Sequence, residues 1–172
     1  MSFAPNVSIA ARDRTASDWI VLGLANAGQS DGIATGYWLF RFQSPSARVI
    51  CTYMFAGLGV GVGAGLLPVD VSQPQGGARI HGWRAFSAGD LDGAGGMVIN
   101  AGGDMFMPQL SVGKLGITAF DAHFIPYFSY QEVPGPDSGL GIDFSWIEGR
   151  WMLLSMRDTQ TGILWNAITM NA

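Results

Sequence analysis

Short apolar stretches alternate along this chain with clusters of Gly, Asp, Ser and Pro, roughly every 8–15 residues, which is the rhythm of strands and turns in sandwiches and barrels. No window shows a long amphipathic helical period with caps at its ends. The pattern predicts an all-β fold, a single-domain antiparallel barrel or sandwich over residues 1–172. Residues 19–24 and 36–42 flank the polar segment Ala-Gly-Gln-Ser-Asp-Gly and predict a hairpin. Residues 47–55 lead into a glycine run, 68–77 predict a loop and 78–86 a strand. Residues 87–96 predict a glycine-rich turn with one helical turn capped by Ser87. Strands follow over 97–100 and 115–130, the second interrupted at Pro126, and 133–139 predict a rigid loop. The C-terminal part predicts a β-meander, with strands at 142–147, 150–156 and 163–169. Its turns are a tight one at Glu148-Gly149 and another over 157–162.

The glycine run is the strongest single signal. Residues 49–69 carry no charge, and glycine takes every second position from Gly57 to Gly65. Read as a strand over 56–66, Gly57, Gly59, Gly61, Gly63 and Gly65 form one bare face, with Leu58, Val60, Val62, Ala64 and Leu66 on the other. A bare face admits another backbone, an aromatic ring or a ligand. Read as a helix, Gly57, Gly61 and Gly65 have small-xxx-small spacing, and the run is long enough to span a bilayer. Five glycines in a helix would each cost roughly 1 kcal/mol relative to alanine, so the strand is preferred. An irregular loop and a bent strand pair are the other readings.

Composition changes the picture at the surface. Charged residues make up 13% and hydrophobic residues 48%, against roughly 25% charged in an average domain. Disorder is disfavoured, since it requires low hydrophobicity and high charge. Either part of the surface is covered by a partner, a second copy or a lipid, or uncharged polar residues and glycine cover it. Net charge is −4 and the nine basic residues are scattered, which disfavours nucleic acid as a partner. Cys51 is the lone cysteine and sits in the apolar run, where a buried, inert thiol is expected. The N-terminal stretch has no secretory pattern. The expected location is cytoplasmic, with export by a signal-independent route left open.

Candidate chemistry is sparse. Asp121 and His123, two apart, would share a strand face and give a base with its orienting carboxylate. With His81 they are the weak catalytic candidates, and no serine or cysteine nucleophile accompanies them. Asp90 and Asp92 on a glycine turn are weak metal candidates; Ala101 stands where a calcium loop needs its bidentate Glu. The Gly-x-Gly pattern lacks the context of a dinucleotide site, and no cofactor is expected. Trp83, Trp146, Trp151 and Trp165 either form a core or line a cavity.

The expected function is therefore a non-enzymatic β-domain that binds a protein partner, a second copy of itself or a hydrophobic, lipid-like surface. Gly57, Gly59, Gly61, Gly63, Trp83 and Trp151 are the candidate contact residues. The alternatives are a membrane-active, toxin-like or effector-like protein inserting residues 49–69, and a hydrolase-like enzyme using Asp121 and His123.

Overall fold

In the computed structural model, the described residues are 13–62, 76–101, 114–135 and 144–166, with no account of the side chains of 27–31, 62 and 101. These described residues are nearly all β. One antiparallel sheet of eight strands curls into a nearly closed barrel. The strands are β1 (Ile20–Ser44), β2 (Val49–Val62), β3 (Ala78–Arg79), β4 (Gly95–Ala101), β5 (Lys114–Phe120), β6 (Pro126–Pro134), β7 (Phe144–Asp158) and β8 (Leu164–Asn166). Their order is β3-β1-β2-β7-β4-β5-β6, with β8 pairing β7. The only helix among the described residues longer than a 3-10 turn is α1 (Ala88–Leu91).

The frame is a long hairpin. β1 and β2 pair from Gly32↔Gly61 to Ser44↔Val49, closed by a four-residue turn at Pro45–Arg48 in which Arg48 is left-handed (φ 57°). Along this hairpin the apolar alternation settles which face points inward. Trp38, Phe40 and Phe42 of β1 and Val49, Cys51, Tyr53 and Phe55 of β2 are all fully buried. A register slip of one residue would turn this set out to solvent, so the aromatic alternation fixes the pairing. β7 continues the sheet beyond β2, with one irregularity between Thr52 and Tyr53 that places an extra residue, Leu154, on β7.

The core is an aromatic chain centred on Trp151. Its ring lies 5.1 Å from Phe40, 5.1 Å from Phe55, 5.5 Å from Phe42 and 6.5 Å from Tyr53, mostly tilted or edge-on. Such geometries add to simple area burial, because ring edges meet ring faces. Phe42 passes the chain on to Phe128 and Trp19, and Trp19 stacks on Phe86 at 5.3 Å. The indole N–H of Trp151 donates to the Thr118 carbonyl at 3.0 Å, and the Tyr53 hydroxyl donates to the Ala88 carbonyl at 2.6 Å.

Glycines make room for these rings and for the coiling of the sheet. A side chain at Gly57 would stand 2.8 Å from the Gly149 Cα, and one at Gly59 2.8 Å from the Ile147 Cα. The described part of the glycine run is thus a strand whose bare positions are covered by the backbone of β7. Gly63 and Gly65 lie outside the described residues.

Three local expectations are corrected. Residues 19–42 form no hairpin; β1 runs unbroken through the polar segment, and its partner beyond Gly32 is β2 rather than residues 19–24. Glu148-Gly149 is not a turn. It lies inside β7, paired with Leu58-Gly57 on one side and Met97-Gly96 on the other, and the glycine serves strand packing. Of residues 78–86, only Ala78–Arg79 form a strand, with Phe86 bridged to Arg14 farther on. The Ser87 cap is present in full: Ser87 and Asp90 form a capping box on α1. The loop expected at 68–77 lies almost wholly outside the described residues, as does the end of the one at 133–139.

Gly59→Ala tests the close approach of β2 and β7. Alanine should favour a strand over glycine, but overpacking against backbone typically costs about 1–3 kcal/mol. Urea unfolding is expected to show destabilisation of at least that size; an unchanged midpoint would mean that the strands stand farther apart.

Candidate functional site

The sequence candidates separate in space. Asp121 and His123 lie in the β5–β6 turn rather than on one strand face. The Asp121 carboxylate accepts the backbone N–H groups of His123 and Ile125 at 2.9 and 3.0 Å through Oδ1, and Arg84 Nη2 at 3.0 Å through Oδ2. It organises the turn, and its contact with His123 is to the main chain. Partial desolvation pulls the Asp121 pKa up, but the Ile125 and His123 N–H groups and the Arg84 guanidinium outweigh it and hold it below the usual value of 3.8. Arg84 also donates to the Ile125 carbonyl at 3.2 Å and lies 4.0 Å over the Tyr127 ring. His81 is exposed on the loop after β3, where its main-chain N–H donates to the Gln131 side chain.

Asp90 and Asp92 are likewise engaged in structure. Asp90 completes the capping box of α1, and Asp92 accepts the Leu153 N–H at 2.9 Å. Among the described residues no group of three His, Cys, Asp or Glu side chains comes together to hold a metal ion. Cys51 is buried, and burial pushes its thiol up to about 12 against a small opposing effect of the Tyr53 hydrogen bond. No described helix is long and apolar enough to cross a membrane.

The tryptophans divide. Trp151 is enclosed in the core, while Trp83 is 91% exposed on the loop next to Arg84. Trp165 packs against the core from its edge. Trp146 belongs to an outward apolar strip that the sequence reading did not single out. Ile33 of β1, Val60 of β2 and Trp146 of β7 lie directly opposite one another across three strands, and Leu58 stands two residues from Val60 on the same face. Ile33, Leu58 and Val60 are more than half exposed. Beside them is a shallow recess of about 290 Å³ lined by Leu58, Gly59, Val60, Trp146 and Glu148. The alternation that buries the glycine positions of β2 is the signal that could have found this strip, since it must turn Leu58 and Val60 outward.

A second depression, about 320 Å³, lies on the same outer surface farther along β7. Gly95 and Gly96 of β4 and Gly149 of β7 contribute bare backbone to it, together with Gly93. Phe120 and Phe124 form one wall, their rings 5.5 Å apart. Glu148 and Arg150 stand on the other side, with Arg150 Nη1 donating to the Gly93 carbonyl at 3.0 Å. Each glycine has its own packing reason. Gly93 is left-handed (φ 83°), Gly95 leaves space for the Phe120 ring, Gly96 for Trp151, and Gly149 for the β2 backbone.

The electrostatics of Asp121 are open to measurement. Its folded-state pKa is depressed, so its contribution to stability is present above the ordinary carboxylate value near about 3.9 and is lost as pH falls through the lowered folded-state value. Carboxyl NMR titration is expected to give a midpoint below that ordinary value, and Arg84→Gln is expected to raise it. An unshifted midpoint in the wild type would contradict the turn geometry. Cys51 should resist aromatic disulfide reagents in the native state at pH 8 and react on unfolding, because a buried neutral thiol is a poor nucleophile. Fast native-state labelling would show that the β1–β2–β7 core opens. With these geometries in view, no protein-family model matches the chain, and neither curated proteins nor solved structures yield a match.

Proposed function

We propose that this chain is a binding module that docks a protein surface on the outer face of β1, β2 and β7. The carrying observation is the apolar strip of Ile33, Leu58, Val60 and Trp146, contiguous across three strands and fixed by register. Isolated exposed apolar residues need no explanation, but a contiguous set on a rigid sheet is the usual mark of an interaction surface. The scarcity of charge in the whole chain supports the same reading. The main-chain and capping roles of Asp121, Asp90 and Asp92 favour binding over catalysis, since each carboxylate already stabilises a turn, a cap or a strand. The partner most directly testable is a second copy of the chain.

Sedimentation equilibrium of the purified protein is expected to show concentration-dependent association that Leu58→Asp and Val60→Asp abolish. Both positions are exposed, so unfolding temperatures should stay within about 1–2 °C, in line with the small effects of surface substitutions. A monomer at all concentrations that also leaves a hydrophobic dye dark would sink the proposal.

A further inference from the structure

We propose that the glycine-floored groove between the β5–β6 turn and β7 is a binding site for a neutral saccharide. The site is separate from the apolar strip, although Glu148 borders both. Its volume, about 320 Å³, lies at the lower end of the range for small-molecule sites, about 300–1,000 Å³.

The lining selects the ligand by exclusion and by fit. Its charges balance: Asp121 is paired with Arg84, and Glu148 stands two residues from Arg150 on the same face of β7. An anion would meet two carboxylates and a cation a guanidinium, so neither is favoured electrostatically. A lipid chain would desolvate Glu148 and Arg150 without replacing their hydrogen bonds. A pyranose ring meets both demands. One of its faces is a plate of C–H groups, which packs against an aromatic ring. Its rim is a set of hydroxyls that both donate and accept, matching a carboxylate acceptor beside a guanidinium donor.

The structure supplies each part in place. Phe124 is 80% exposed, with its backbone in the left-handed region (φ 60°), yet its turn is pinned by the Asp121 carboxylate. A large apolar ring is therefore held out in solvent on a rigid turn, braced by Phe120 at 5.5 Å. Non-glycine residues with this backbone conformation are uncommon and are often found at functional sites. Opposite, Gly95 and Gly96 of β4 run beside Arg150 and Gly149 of β7 in direct register. At Gly95 the missing side chain leaves room for the Phe120 ring to lie down against the strand and form the aromatic side of the groove. Arg150 is steadied by the Gly93 carbonyl, which uses one of its five donors. The groove is open on one side, so an oligosaccharide fits better than a closed-in monosaccharide. Roughly millimolar affinity follows from burying one face of the ligand.

Titration of the intact protein with cellotetraose, maltotetraose and chitotetraose, followed by amide NMR, tests this. At least one of the three is expected to shift the amides of Gly93, Gly95, Gly96 and Gly149, together with the indole N–H of Trp151 beneath Gly96. Phe124→Ala is expected to weaken that binding about tenfold, the size of one lost aromatic contact. If Phe124→Ala does not fold, Glu148→Ala on the exposed side of β7 serves as the second variant and should weaken binding likewise. The proposal is overturned if none of the three sugars shifts these amides at millimolar concentration. Shifts confined to another surface, or undiminished affinity in the folded groove variants, overturn it equally.

Discussion

The structure depends on the close approach of β2 and β7. Gly57 and Gly59 on one strand and Gly149 on the other leave no room for a Cβ, because each faces the partner's main chain. This lets the sheet coil tightly enough to close around Trp151. Elsewhere glycine is paired with an aromatic ring: Gly95 with Phe120, Gly96 with Trp151 and Gly116 with Tyr130. Glycine costs chain entropy in a strand, and here the loss is offset by rings that fill the space a side chain would have taken. The buried aromatics then lock the register of the long β1–β2 hairpin, since a slip would expose all of them at once.

The outer surface follows from that inner arrangement. Once Phe55, Gly57 and Gly59 of β2 point inward, Leu58 and Val60 must point outward. Opposite them, register brings Ile33 and Trp146 to the same face. The outward apolar strip is thus the other half of the alternation that closes the barrel. On β7 the same alternation sends Glu148 and Arg150 outward beside the strip, so the surface turns from apolar to polar within a few residues. The glycine-floored groove occupies that transition, where bare backbone, aromatic wall and opposite charges meet.

The acidic residues show how structure claims groups that a sequence offers to chemistry. Asp121 holds a turn, Asp90 a helix cap and Asp92 the main chain of β7. Each satisfies backbone N–H groups that would otherwise lack a partner. Arg84 adds its guanidinium to the first of these and stacks on Tyr127, which ties the loop after β3 to the β5–β6 turn.

The sequence by itself determined the all-β class, the burial of Cys51, the Ser87 cap and the strand character of the described glycine run. These depend on local alternation, propensity and capping, which neighbouring residues decide. It did not determine where strands end. The polar segment at 27–32 and Glu148-Gly149 have turn composition, yet both lie inside long strands, Glu148-Gly149 because partners on both sides of β7 supply its hydrogen bonds. Nor did it separate Trp151, at the centre of the core, from Trp83, in solvent, since both stand among similar neighbours in sequence. The alternation along β2 already puts Leu58 and Val60 on one face, but the joining of Ile33 and Trp146 to them, and the whole of the groove, belong to the tertiary structure: only the register of β2 against β1 and of β7 against β2 and β4 brings together strands and turns far apart in the chain.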